Sequence, residues 1–211
     1  MKEWGVHCIA GNVEIQLREG KNDCGCNFET GTTCDILSNS WYPYAQSRLS
    51  EASILWMQSL PDFIKFTYNN QRVFVLHGSV EETAEYVFKS TDTSVKRNIL
   101  NQAQADIILA GHCGIPFLNK VDTKYWLNAG VIGMPANDGT KEVWYASINQ
   151  TDKGIEINHH RMEFDFVQAA ELMVANKLPK QYSDTLLTGI WDNCDILPEE
   201  ETSQQGIKIQ L

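Results

Sequence analysis

The residues best suited to chemistry stand where apolar runs end. Gly5-Val6-His7-Cys8-Ile9-Ala10 runs into Gly11-Asn12, a second run ends at Leu76-His77-Gly78, and Asp106 to Ala110 ends at Gly111-His112. In open α/β sheets, ligands bind outside the carboxyl ends of strands. Asn12, His77 and His112 are therefore expected to share one pocket. The neighbouring glycines let the backbone pass close to a ligand. Two imidazoles and an amide oxygen suit a divalent ion of the zinc, manganese or iron type. One such His alone would read as a structural residue; three groups at matching strand ends favour the metal.

Other candidates surround these. Cys113 follows His112, and a thiolate is a good ligand for zinc or iron. Asp23-Cys24-Gly25-Cys26, with Cys34, is rich in thiols. A Cys-x-Cys pair can bind metal or cycle between redox states, but the second pair of a zinc site is missing, so structural cysteines in a loop are the favoured reading. If that loop folds over the pocket, Cys24, Cys26, Glu14, Asp23 and Asp35 become further contributors; otherwise the carboxylates are solvated. His159 and His160 are adjacent on a polar strand and so point to opposite faces. They read as structural, and the Trp and Tyr residues at 125, 126, 144 and 145 as sheet core.

The elements that must position these groups follow from periodicity and punctuation. Gly5 to Ala10 reads as a buried strand. Residues 18 to 44, broken by Gly20, Gly25, Gly31 and Pro43, read as a long irregular segment. Ser50 caps a helix that stops before Pro61, with Leu49 and Ile54 as a hydrophobic staple. Ile64 to Tyr68 and Arg72 to Leu76 form a hairpin around Asn69-Asn70-Gln71. Residues 93 to 104 are helical. Strands follow at 106 to 110, 124 to 128, 142 to 148 and 154 to 162. Asp165 caps a helix to about Lys177 with Gln168 at the capping-box position, and Pro179 opens a helix that Gly189 stops.

The chain has 211 residues, enough for one domain with a real core. Residues 1 to 195 are assigned to that domain and 196 to 211 to a frayed acidic tail. The formal charge is −10, with 17 Lys and Arg against 27 Asp and Glu. That balance argues against a nucleic-acid patch or a membrane-surface binder. Nothing approaches the ~20 apolar residues of a membrane span. Six cysteines without a secretion signal indicate a reducing, cytoplasmic setting.

The chain resembles the calcineurin-like metallophosphoesterases, whose pattern runs Asp-x-His, Gly-Asp, Gly-Asn-His-Asp/Glu, His-Gly, Gly-His-x-His. Here Gly11-Asn12-Val13-Glu14, Leu76-His77-Gly78 and Gly111-His112-Cys113-Gly114 are similar to the last three blocks. Trp126 to Pro135 resembles a segment of the bacterial single-domain branch, as do Phe164-Asp165, Leu178-Pro179, Tyr182 and Leu187-x-Gly189. The resemblance implies an α/β/β/α four-layer sandwich of two mixed sheets. It also implies two divalent metals (Mn, Fe or Zn) and hydrolysis of a phosphate mono- or diester, small or on a phosphoprotein, by an activated hydroxide. It places Asn12, His77 and His112 on one metal.

The departures matter equally. The His that aids the leaving group is Val13, so no catalytic acid is assigned, and the second His of Gly-His-x-His is Gly114. The first two blocks would precede Met1, so the chain is read as lacking its N-terminal strands and the bridging Asp, and as a weak phosphatase at best. One metal keeps three ligands and the other none. Two alternatives stand beside a divergent phosphoesterase: a non-catalytic protein-binding module on the same fold, and a single-metal hydrolase using His77, His112 and Cys113.

Overall fold

A computed structural model describes residues 4–152 and 154–211. It is a mixed α/β fold of seven helices and seven strands among the described residues. Helices α1 (Asn12–Glu19), α2 (Thr33–Arg48) and α3 (Glu51–Gln58) precede the hairpin β1 (Ile64–Tyr68) and β2 (Gln71–Val75). Then come α4 (Thr93–Gln102), β3 (Ile107–Ala110), β4 (Phe117–Val121), β5 (Lys124–Asn128), β6 (Val143–Thr151) and β7 (Gly154–Met162). Helices α5 (Phe166–Ala175), α6 (Lys180–Thr188) and α7 (Glu199–Thr202) close the chain. No described helix is long and apolar enough to cross a membrane.

Five strands form one mixed sheet in the order β1-β2-β3-β5-β4, and β6 and β7 pair separately as an antiparallel ribbon. The central β2, β3 and β5 run parallel, with Val73 opposite Ile107 and Ile107 opposite Tyr125. Antiparallel β1 and β4 flank them. Strands buried on both faces read as continuous apolar runs, which is why 107 to 110 was legible. Helix α4 adds Ile99 and Leu100 to a cluster with Phe74, Ile108, Phe117 and Trp126. A second cluster joins α1 to α3 through Leu17, Tyr42 and Met57, with the staple residues Leu49 and Ile54 packed on it. Ser50 caps α3 by accepting from the Ser53 amide, and Asp165 caps α5 at Gln168. Asn69 and Asn70 both take positive φ, the geometry a two-residue hairpin turn needs.

Several expectations are corrected. Residues 5 to 10 form no strand; Ala10 donates its amide to the Pro61 carbonyl, and Val6 is half exposed. An apolar run becomes a strand only beside a partner ladder, which composition does not reveal. Asn12 begins a helix rather than a loop. The segment 18 to 44 contains most of α2, with Thr32 as its cap and Pro43 inside it; Trp41 and Tyr42 supply burial that outweighs the lost hydrogen bond. Strand β4 was not anticipated. Tyr145 is not sheet core: it is exposed and stacks on His160 at 4.8 Å. The polar residues ahead of Trp4 lie outside the described residues.

The tail is not frayed. Glu201 is buried and accepts from the Ser90 amide at 2.9 Å and from the Ser90 hydroxyl. Asp138, 2% exposed, accepts from Arg161 at 2.6 Å, from Thr140, and from the Ile209 amide at 3.1 Å. Burial raises the Asp138 pKa, but the Thr140, Arg161 and Ile209 donors outweigh it and hold the carboxyl below its ordinary 3.8. A depressed carboxylate stabilises the fold above its unfolded pKa and loses that contribution as pH falls through the folded value. Arg161→Ala strands a buried charge and is expected to cost about 3–5 kcal/mol in urea unfolding at neutral pH. That gap should narrow in acid, as pH falls through the depressed pKa of Asp138.

Candidate functional site

Parallel pairing delivers the two histidines to one edge. The Leu76 amide donates to the Leu109 carbonyl, and the Gly111 amide to the His77 carbonyl at 2.9 Å, so the ladder runs past both strand ends. His112 then takes φ +61, a left-handed conformation uncommon for residues other than glycine. His77 Nε2 and His112 Nδ1 lie 3.0 Å apart. Tyr86 tilts over the His112 ring at 4.2 Å. Gly78 makes that possible: a Cβ there would fall 2.5 Å from the Thr83 carbonyl oxygen, so only glycine lets the following loop fold back.

Asn12 enters from the start of α1. Its amide nitrogen donates to the Cys24 carbonyl at 2.9 Å and contacts Cys26 Sγ at 3.0 Å. Both amide hydrogens are thereby used, and Oδ1 is left as the free donor atom. Asn12, His77 and His112 line one cavity of about 700 Å³. Asn128, buried at the end of β5, holds the wall: its amide donates to the Gly111 carbonyl at 2.6 Å and contacts Cys113 Sγ at 3.1 Å. Asn128 and Tyr86 were missed as positioning residues. The signal for Asn128 was available, a polar residue ending an apolar strand beside β3.

Of the other candidates, Cys26 and Cys113 also line that cavity, while Glu14, Asp23, Asp35 and Cys24 are engaged elsewhere. Glu14 accepts from the Gly11 amide at 2.9 Å, closing the start of α1. Cys113 is buried in the main cluster, and burial pushes its thiol up to about 12. Asp23 accepts from Gly25, and Asp35 from Gly31 and Asn39. Cys24 is buried in the helical cluster beside Cys26. The hydrogen bond between the two thiols lowers Cys24 and raises Cys26. His159 bonds the Asn128 carbonyl and His160 the Ser147 hydroxyl, consistent with structural roles. Among the described residues, no three His, Cys, Asp or Glu side chains form a metal-sized cluster.

The donor set nonetheless fits one ion. Two nitrogens ~2.1 Å from a single ion lie about 3.0 to 3.4 Å apart between octahedral and tetrahedral angles, and the His77 and His112 nitrogens, hydrogen-bonded to each other at 3.0 Å, stand within that reach. Both rings are held neutral, as ligands must be. Burial lowers His77; burial, then the neighbouring His77, lowers His112 to about 3. A second ion finds no such place. A Cβ on Gly114 would sit 3.4 Å from the Trp191 ring, so an indole borders the position where the resemblance calls for a second His. That indole is anchored by its Nε1 donating to the Pro135 carbonyl at 2.7 Å.

Comparison with known proteins places the fold. No protein-family model matches the chain. An uncharacterized protein of Methanocaldococcus jannaschii is 28% identical over 158 residues, 67% of this chain and 61% of that protein. The chain thus matches less than two thirds of that relative's length. A hypothetical protein from Pyrococcus horikoshii superposes with TM-score 0.70 at 15% identity, covering 89% of this chain and 74% of that one. A metallophosphoesterase from Sphaerobacter thermophilus gives TM-score 0.60 at 16% identity, covering 86% and 76%. The chain has the metallophosphoesterase-like fold.

The low His112 pKa has a measurable consequence. An unfolded His binds a proton near pH 6.5, whereas folded His112 does not until about 3. Its contribution to stability is full above pH 6.5 and declines as pH falls toward 3. In metal-free protein, His112→Gln should flatten the fall of the urea midpoint between about pH 7 and 4.5. An unchanged slope would contradict the assignment.

Proposed function

We propose that the chain is a metal-dependent phosphoesterase working with one ion. The observation that carries this is the facing pair His77 Nε2 and His112 Nδ1, 3.0 Å apart, in a cavity that also holds Asn12 with its amide nitrogen already bonded. A divalent ion bound there would supply a Lewis acid that offsets phosphate charge and acidifies water. Asn12, His77 and His112 would hold it, all three uncharged, so the ion would keep its full charge toward an anionic substrate.

The chain's own residues do the rest. Asn128 sets the loop that aims His112, and Tyr86 covers that ring. The Cys24 carbonyl and Cys26 sulfur orient Asn12. Phe28, Trp41 and Trp191 limit water around the substrate. Val13 lines the cavity where the resemblance calls for the leaving-group His. Turnover is therefore expected to depend on good leaving groups.

The test is metal stoichiometry. Calorimetry with manganese or zinc should give about one equivalent, with affinity falling about 10-fold or more in Asn12→Ala and further in His77→Ala and His112→Ala. Hydrolysis of bis-p-nitrophenyl phosphate should require that ion. No uptake at all would sink the proposal. Two equivalents would sink the single-ion version. Uptake without hydrolysis would leave a binding module on this fold, the reading that Val13 and Trp191 favour.

A further inference from the structure

The cavity beside the histidines has a composition that selects its ligand. Its wall includes the aromatic rings of Phe28, Trp41, Tyr86, Tyr182 and Trp191 and the apolar side chains of Val13, Leu37, Val131, Met134 and Ile196. Among the described residues no Lys or Arg lines it, and the one carboxylate on its wall is Asp192. Its volume of about 700 Å³ is that of a drug-sized site. The whole chain carries −10.

Resting on the one-ion reading above, we infer that the substrate is a monoanionic phosphodiester carrying an aromatic group, with Trp41, Tyr182 and Trp191 as specificity-determining residues. Charge argues the first half. A phosphomonoester dianion or a polyphosphate brings two or more negative charges into an apolar cavity. Beyond a single ion nothing there is cationic, and an unpaired buried charge is costly. A diester brings one. Shape and surface argue the second half. Rings offer faces and edges that stack on a flat ligand and gain from its burial, and a small dialkyl diester would leave this wall wet. Trp191 is well placed for the role because its indole is buried and anchored on Pro135, so little ordering remains to be done on binding. Tyr182 and Trp41 also border a neighbouring apolar groove with Met173 and Pro179, which gives a bulky ring room to extend.

Three probes separate charge from ring: diphenyl phosphate, phenyl phosphate and diethyl phosphate. They are titrated calorimetrically into the chelator-treated protein and again with manganese. Diphenyl phosphate should bind at least tenfold more tightly than either of the others in both states. Trp41→Leu should remove most of its advantage over diethyl phosphate. Met134→Lys, at a half-buried position on the wall, should narrow its advantage over phenyl phosphate. Equal or tighter binding of phenyl or diethyl phosphate would overturn the inference, as would no binding of any probe. Manganese uptake with the wrong preference would overturn this inference and leave the metal reading standing. The right preference without manganese uptake would do the reverse.

Discussion

The arrangement depends on the parallel pairing of β2, β3 and β5. Parallel neighbours end at the same edge of the sheet, so whatever follows each strand is delivered to one place. His77 follows β2, His112 follows β3, and Asn128 closes β5, in register with Ala110. The ladder continues past the strands through the Gly111 amide and His77 carbonyl, which fixes the two loops relative to each other. Antiparallel order at these positions would send alternate loops to opposite ends and scatter the same residues.

From that edge outward, the site is built by neutral groups. Burial favours the uncharged form of both imidazoles, and one facing nitrogen donates to the other. Of the carboxylates the sequence offered, Glu14 accepts from the Gly11 amide and Asp35 from the Gly31 amide. An amide and two imidazoles would leave a bound ion highly charged in a cavity whose wall is mostly apolar. The same low polarity that strengthens electrostatic interactions there penalises any extra negative charge. On the one-ion proposal, affinity for an anion and selectivity against a more highly charged one would share a single cause.

Legibility differed by kind of signal. Caps and turns act locally, so Ser50, Asp165, Asn69-Asn70 and Gly189 were all readable from their neighbours alone. The long helix α2 was hidden because Pro43 and the preceding glycines carry breaker signals, while the burial of Tyr42 that overrides them is a tertiary fact. Residues 5 to 10 failed in the opposite direction: apolar character promised a strand, and no partner ladder forms there. Cys113 looked like a ligand by adjacency to His112. The left-handed turn at His112 packs its neighbour against the core, where it borders the cavity with its thiol buried.

Sequence by itself determined that His77 and His112 stand just past the ends of two strands, that Val13 and Gly114 carry no imidazole, and that acidic residues outnumber basic ones. Those are matters of residue type and order. Only the tertiary structure decided that the two rings face each other at 3.0 Å. It alone showed that Cys24 and Cys26 serve Asn12 rather than a thiol site of their own. The same holds for Trp191 lying beside Gly114 and for the acidic tail docking on Ser90 and Asp138. These contacts join residues far apart in the chain, and their energies depend on what else is buried beside them. No local pattern encodes that.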